Sequence, residues 1–261
     1  MEIVKLNAMR GWLWIKQGYQ LIMCNPLLSI VTALIGALCV FLALLVPSIG
    51  PLLAVVLAPI LLAGYMRVCR ALEEDEEVEL AHLFAGFRQH TAGLVSLGAF
   101  LMLGLLLAST VMIFVGGDAF AKLMEQVQAT ENRQVLMEAI SASGGSVAFA
   151  MLLGFTLVML LIVTWQYAPI LVFFSGLTPF AALRASFTGT LRNIVPYTVY
   201  SLIMQLIALM LGILPFGLGM ILLLPLGLTS LYVSYRNIFP WLDKPQAATT
   251  AATVEDSEGG N

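Results

Sequence analysis

The 261-residue chain is 60% hydrophobic and only 10% charged, with a net charge of −3 at pH 7. A soluble domain carries about a quarter charged residues, so this composition excludes an ordinary soluble protein and favours an all-α integral membrane protein. Long continuous apolar runs, in place of short segments of alternating hydrophobicity, argue against a membrane β-barrel.

Residues 1–26 combine apolar and basic positions in a helical pattern. Three basic residues interrupt the apolar positions, which excludes a signal peptide: Lys5, Arg10 and Lys16. Four side chains have the spacing of one helix face: Trp12, Ile15, Tyr19 and Ile22. With Trp14 nearby, this pattern predicts an interfacial helix on the membrane surface, and the alternative is a cytoplasmic extension of the first span.

The longest uncharged stretch runs from Gln17 to Met66, fifty residues without Asp, Glu, Lys or Arg. A helix needs about 20 apolar residues to cross roughly 30 Å of hydrocarbon, so this stretch can hold two spans. The segment Pro47–Pro51 cannot continue a helix and divides the stretch. We therefore predict a hairpin of two spans, Pro26–Val46 and Leu52–Leu72.

Six of the seven residues from Glu73 to Glu79 are acidic. The run lacks the Gly and Asn spacing of an ion-binding loop. It is therefore interpreted as a solvated loop between two membrane elements, with a metal or partner site as the alternative. The segment His82–Arg88 that follows predicts a second interfacial turn.

The rest of the chain predicts four further spans: Thr91–Val115, Ser146–Phe174, Ile194–Leu214 and Phe216–Tyr235. A polar insertion at 116–145 is expected to form short amphipathic helices on the outer side, with Asp118 as an N-cap. Their apolar faces are Phe120, Leu123, Met124 and Val127, and then Leu136, Ala139 and Ile140. Residues 241–261 are predicted to be a disordered cytoplasmic tail.

An internal repeat organises these elements within a single membrane domain, 1–240. The tetrapeptide Ala58–Leu61 recurs letter for letter at Ala168–Leu171, and Pro225 precedes Arg236 by eleven residues, as Pro59 precedes Arg70. We predict three repeats, each with an interfacial helix, a span and a proline-bearing span, at about 8–72, 81–175 and 179–238.

The three prolines of these repeats are predicted to kink their helices at similar depth around a pseudo-threefold axis: Pro59, Pro169 and Pro225. Each proline frees the carbonyl four residues earlier, which lipid cannot satisfy: Val55, Trp165 and Ile221. We expect those carbonyls to face protein or a polar cavity, and plain kinks satisfied by neighbouring helices are the favoured interpretation.

The basic residues are distributed asymmetrically across a six-span arrangement. Ten lie on one side, and only Lys122 and Arg133 lie on the other. Because basic residues accumulate on the cytoplasmic side, both termini are predicted to be cytoplasmic.

Several short motifs resemble one family of proteobacterial inner-membrane proteins. They are Gly11–Trp14, Phe84–Arg88, Leu191–Asn193 and above all the ending Ser234–Phe239. The family has six spans and no assigned activity, and it more often has Asp where this chain has Asn237. More distantly, the layout is similar to the membrane domain attached to some glycerophosphodiester phosphodiesterases. The resemblance implies a multi-pass protein of the bacterial inner membrane.

Catalytic chemistry is not indicated. No span holds an Asp, Glu, Lys or Arg well inside it, which weighs against proton coupling. His82 and His90 are the only histidines, and the three cysteines suggest no disulfide framework, so we expect no enzyme activity, metal or cofactor. Polar side chains in the spans are interpreted as interhelical hydrogen-bonding groups, with a substrate path as the alternative.

Two functions therefore remain open from the sequence. The first is a non-catalytic scaffold that binds membrane lipids, anionic ones among them, or another membrane protein, and nucleic acid is not an expected partner. It is motivated by basic interfacial residues that could contact headgroups: Lys16, Arg88, Arg184 and Arg192. The second is a carrier or channel for a small or lipid-like solute, motivated by repeats and broken helices.

Overall fold

The computed structural model describes residues 3–129, 144–213 and 218–240, together with 132, 134, 137, 138 and 141. Within these residues the chain is helical and no strand occurs. The helices are α1 (Arg10–Cys24), α2 (Pro26–Leu44), α3 (Gly50–Glu73), α4 (Thr91–Ala129), α5 (Gly144–Trp165), α6 (Ala168–Ser175), α7 (Pro179–Arg192), α8 (Ile194–Gly212) and α9 (Leu218–Ile238), with a 3₁₀ helix at Leu80–Phe87.

Five helical stretches in the described part are long and apolar enough to cross a membrane: Pro26–Leu44, Gly50–Glu73, Thr91–Val127, Gly144–Ser175 and Ile194–Gly212. The predicted all-helical, multi-span class is thereby confirmed. Helix α9 is not among the five, so the sixth span at Phe216–Tyr235 stays a prediction, and residues 216 and 217 lie outside the described part.

Local chemistry sets the main helix boundaries near the predicted positions. The Asn25 side chain accepts a hydrogen bond from the Leu28 N–H at 3.2 Å, which caps α2. The turn before α3 contains Ser48 with a positive φ of 67°. Gly117 has φ 56° and ψ −149° and kinks α4, a conformation that only glycine adopts easily.

The helix beyond Gly117 is the described part of the predicted outer insertion. Phe120 and Leu123 are buried there and pack with Val147 of α5. Val127, predicted to share their face, is exposed. The second predicted face, at Leu136, Ala139 and Ile140, lies outside the described residues.

The predicted span Ser146–Phe174 is not one continuous helix. Helix α5 ends at Trp165 and α6 begins at Ala168, because Pro169 in the first turn of α6 has no N–H to donate. The Ser186 hydroxyl of α7 enters this break. It accepts from the Tyr167 N–H at 3.2 Å and lies within 3.3 Å of the Val163 carbonyl, to which it donates.

The apolar face predicted for α1 is divided in the structure. Ile15 and Ile22 are buried, whereas Trp12 and Tyr19 are exposed. The buried stripe is instead centred on Trp14 and the small residue Gly18. The shift follows from packing, because a Cβ at Gly18 would lie 2.7 Å from the Ser230 hydroxyl of α9.

The short elements pack in a cyclic order. Helix α1 packs on α9, the 3₁₀ helix on α3, and α7 on α5 and α6. Glycines permit the closest approach, since a Cβ on Gly64 would collide with the Leu83 carbonyl, and one on Gly86 with the Ile60 carbonyl. Each short element thus lies on the proline-bearing helix of the preceding predicted repeat, and the first lies on the last. Superposition of the three repeats stays a prediction.

The packed core lies at the end of the molecule that carries most arginines. Its largest fully buried side chains include Trp14, Met66, Tyr167 and Tyr235, and two of these directly precede Arg67 and Arg236. Farther along the spans the apolar side chains are exposed, as on α4, α5 and α8. Lipid contact accounts for such exposure in a membrane protein.

Candidate functional site

Helix α7 presents two arginines to one open cleft, here called the α7 groove. The groove has a volume of about 380 Å³ and is lined by Ile3, Phe180, Ala181, Arg184, Ala185, Thr188 and Arg192. Arg184, Thr188 and Arg192 follow one another at four-residue intervals, so they occupy one side of the helix. Phe180 continues this series by one turn and is 72% exposed.

Neither arginine of the α7 groove has a carboxylate partner within the described residues. Guanidinium groups are rigid forks of five N–H donors that match phosphate or carboxylate oxygens. The groove therefore combines two available cations with an apolar wall, which is the chemistry of an anionic amphiphile site.

The wall formed by Ile3 is held by Asn193, which is fully buried at the end of α7. The Leu6 N–H donates to Asn193 Oδ1 at 2.8 Å, and Asn193 Nδ2 donates to the Val4 carbonyl at 2.9 Å. The Asn193 amide also donates to the Gly189 carbonyl of α7 at 3.0 Å. One side chain thus fixes the N-terminal segment beside the helix.

The buried side of α7 is anchored by hydrogen bonds to the break between α5 and α6. Gln166 Nε2 donates to Thr190 Oγ1 at 2.8 Å, and the Ser186 hydroxyl occupies the break itself. Tyr167 extends the network, because its hydroxyl lies 2.9 Å from Ser234 Oγ of α9. A helix fixed in this way holds the backbone from which the two exposed arginines extend before a ligand arrives.

A second group of arginines lies at the ends of α3 and α9 and is paired internally. Arg67 contacts Glu76 at 2.6 Å, Arg70 contacts Glu74 at 2.9 Å, and Arg236 pairs with Glu73. The Tyr232 hydroxyl also donates to Glu73 at 2.8 Å. Most residues of the acidic run are exposed, as its interpretation as a solvated loop requires. Three of its glutamates also pair with these arginines.

The other two predicted headgroup residues do not join the α7 groove. Lys16 lies exposed on α1, and Arg88 is exposed just beyond the 3₁₀ helix. The structure therefore brings together two of the four predicted residues. Sequence reasoning missed Phe180 and Thr188, although their four-residue spacing from Arg184 was available as a signal.

The three predicted kink prolines occupy unlike positions in their helices. Pro59 and Pro225 lie inside α3 and α9, whereas Pro169 lies in the first turn of α6. The Val55 carbonyl, which Pro59 leaves without its usual donor, faces α4: a Cβ on Gly98 would lie 2.7 Å from it. This carbonyl therefore faces protein, while a functional role for the prolines stays a prediction.

The groups that line the α7 groove are suited to binding an anion. Guanidinium groups and a threonine hydroxyl can hold an anion through charge-assisted hydrogen bonds. Within the described residues, no group of three or more His, Cys, Asp and Glu side chains is placed to hold a metal ion.

Comparisons with known proteins agree with a membrane location. A family model described as a predicted integral membrane protein, DUF2189, matches residues 48–154. A probable inner membrane protein of Burkholderia thailandensis is 30% identical over 228 residues, an alignment covering 84% of this chain and 80% of that protein. Neither name describes an enzymatic activity. No solved structure matches the chain significantly.

Proposed function

The chain belongs to the same family as this probable inner membrane protein of Burkholderia thailandensis, and from that premise we propose a non-catalytic, lipid-binding membrane factor. The protein is a multi-pass bacterial inner-membrane protein. Its α7 groove binds the headgroup of an anionic phospholipid. The observation that carries the proposal is the pair Arg184 and Arg192, which line one cleft without a carboxylate partner among the described residues.

The residues that line the α7 groove match the phosphate, the acyl chain and the headgroup hydroxyl of such a lipid. Arg184 and Arg192 would donate to phosphate oxygens, and the exposed Phe180 ring offers apolar surface for an acyl chain. The Thr188 hydroxyl donates to the Arg184 carbonyl at 2.8 Å, so its lone pairs are left to accept a hydrogen bond. A headgroup with its own hydroxyl, such as the glycerol of phosphatidylglycerol, supplies that donor.

The test is native mass spectrometry of the full chain exchanged into phosphatidylglycerol, with two doubly neutralised variants of equal net charge. Each cation near an anionic surface contributes about 1 kcal/mol, so Arg184→Gln with Arg192→Gln should weaken phosphatidylglycerol retention roughly thirtyfold. Lys16→Gln with Arg88→Gln is the matched control and should weaken it much less, because neither residue lines the groove.

Equal losses of phosphatidylglycerol retention in the two variants would show that the groove does not bind this lipid specifically. The effect would then depend only on the net charge of the protein. Unchanged retention in both would mean that the four residues serve only membrane orientation. A retained protein subunit in the same spectra would instead support the scaffold part of the hypothesis. The carrier alternative and the likeness to phosphodiesterase membrane domains stay predictions.

We also infer that the arginine-rich end faces the cytoplasm, supported by the ten-to-two distribution of basic residues. An impermeant thiol reagent applied to spheroplasts should then label a cysteine engineered at Gln128 and spare one engineered at Gln246. The reverse labelling pattern would overturn this orientation, and labelling of both positions or of neither would overturn the six-span arrangement.

A further inference from the structure

Helix α8 is the least packed of the five candidate spans in the described part of the chain. Only 6% of its most apolar stretch is buried, against 56% for α3. One side of α8 meets α1, since a Cβ on Gly11 would collide with the Pro196 carbonyl. The same side meets α9, since a Cβ on Gly219 would collide with the Leu211 carbonyl. The opposite side of α8 faces away from the rest of the described chain.

This outer side of α8 carries six exposed residues at alternating three- and four-residue intervals, here called the α8 seam. They are Val195, Thr198, Leu202, Gln205, Leu209 and Gly212. Such spacing is typical of residues that meet when two helices pack at a small crossing angle, as membrane helices often do. A Cβ on Gly212 would meet nothing within 4 Å, so the end of the seam is open to a second helix.

One residue of the α8 seam is unfavourable in contact with lipid. Gln205 lies near the middle of this 19-residue helix, is exposed, and makes no hydrogen bond with the described residues. Two other polar side chains of the spans are satisfied within the chain. The Thr198 hydroxyl donates to the Ile194 carbonyl at 2.8 Å, and Gln166 Nε2 donates to Thr190 at 2.8 Å. An amide without a partner in hydrocarbon is costly, so Gln205 requires a partner from outside the chain.

The chemistry of the amide and the geometry of the membrane favour a second copy of this chain as that partner. Copies of one chain have the same orientation in a membrane, so their α8 helices run parallel and equivalent residues lie at equal depth. A two-fold axis along the membrane normal then brings Gln205 against its own counterpart. A carboxamide has one acceptor oxygen and two N–H donors, so two such groups can hydrogen-bond reciprocally. Lipid tails offer neither group.

We propose that the α8 seam is a parallel homodimer interface in which the Gln205 amides of two copies hydrogen-bond to each other. Leu202 and Leu209 pack about one turn to either side of this pair. The polar pair fixes the register of the two helices, because a shift along the axis would place each amide against a leucine.

Energy transfer between full chains labelled with donor or acceptor dyes tests the polar pair. It is measured in vesicles of phosphatidylethanolamine and phosphatidylglycerol over a range of protein-to-lipid ratios, which gives the dimer dissociation constant. Gln205→Leu has a similar volume and an apolar side chain that suits a lipid-facing position, so the fold should persist. The dimer should weaken roughly tenfold, as expected for loss of two interhelical hydrogen bonds. Gln205→Asn keeps an amide and should weaken it less.

Cysteine cross-linking tests the position of the interface. In a background with Cys24→Ser and Cys39→Ser, which leaves only the buried Cys69, Leu209→Cys should form a disulfide-linked dimer on oxidation of native membranes. Leu107→Cys is the matched control, because Leu107 lies on α4 and is 64% exposed, close to the 70% of Leu209. It should give little cross-linked dimer.

Four results would overturn the proposal. They are a monomer at every protein-to-lipid ratio, a Gln205→Leu dimer as tight as that of the unmodified chain, equal cross-linking of the two cysteine variants, and a different protein joined to Leu209→Cys in place of a second copy. None of these variants alters a residue that lines the α7 groove, so lipid binding there and dimerisation are tested separately.

Discussion

Arginines at the same end of the molecule differ in whether a carboxylate of the chain pairs with them. On α7, Arg184 and Arg192 have no carboxylate partner within the described residues. At the ends of α3 and α9, Arg67, Arg70 and Arg236 are each paired with a glutamate of the acidic run. Arg70 is also held against the Phe174 ring, 5.3 Å from its centroid.

The difference shows that a count of basic residues does not locate a headgroup site. A guanidinium paired with the chain's own carboxylate has little net charge to offer an anionic surface, whereas an unpaired one keeps its full charge. Under the proposed lipid-binding function, the acidic run limits which arginines are available to anionic headgroups. Altering the pairing in one region should therefore make its affinity for anionic lipid approach that of the other region.

The largest effect is expected from removing two counter-charges of the paired region. Glu74→Gln with Glu76→Gln would remove one carboxylate partner each from Arg70 and Arg67. At about 1 kcal/mol per cation relieved of a counter-charge, phosphatidylglycerol affinity should rise by up to roughly thirtyfold, read as lipid retained in native mass spectra. Asp75→Asn with Glu77→Gln changes the net charge equally and frees no paired arginine, so this control should change affinity much less. Equal gains would refute selective pairing.

A smaller effect is expected from giving the unpaired region a counter-charge of its own. Thr188 lies one helical turn from both Arg184 and Arg192, so Thr188→Glu places a carboxylate within reach of either guanidinium. One added carboxylate offsets about one cation, which should lower phosphatidylglycerol affinity roughly fivefold. Thr188→Gln has a similar shape without the charge and should keep most of the affinity. A comparable loss in both variants would indicate a steric effect.

Features that depend on neighbouring residues could be predicted from the sequence, whereas contacts between residues far apart along the chain could not. The break at Pro47–Pro51, the Asn25 cap and the interruption at Gly117 depend on local conformation, so the boundaries near them were predictable. The Tyr232–Glu73 hydrogen bond joins residues 159 positions apart, and no periodic pattern within either segment predicts it. Likewise, the position of Ser186 in the break at Tyr167 depends on how α7 packs.

The candidate site was predictable to a similar extent. Basic interfacial residues indicated a lipid-facing surface, and two of the four, Arg184 and Arg192, come together in the α7 groove. The sequence could not show that the acidic run neutralises Arg67 and Arg236, because that depends on where the run folds after α3. Pairing is a tertiary property, and a count of basic residues alone does not separate paired arginines from unpaired ones.

The smallest effect is expected from pH, acting on one pair of the paired region. A hydrogen bond from Arg67, followed by the charge of that arginine, lowers the pKa of Glu76 from its ordinary value of 4.5. A carboxylate with a lowered pKa stabilises the folded state above its ordinary pKa, and that contribution is lost as the pH falls through its folded value.

The Arg67 pair should therefore stay intact from pH 7 down to the ordinary carboxyl pKa, and Arg67 should become available only below it. Phosphatidylglycerol affinity should accordingly change little through loss of this pair over the first interval and rise below it. In Glu76→Gln the affinity should already be raised at pH 7 and should gain less on acidification, whereas Glu77→Gln should keep the behaviour of the unmodified chain. An identical pH profile in Glu76→Gln and the unmodified chain would show that this pair does not control the availability of Arg67.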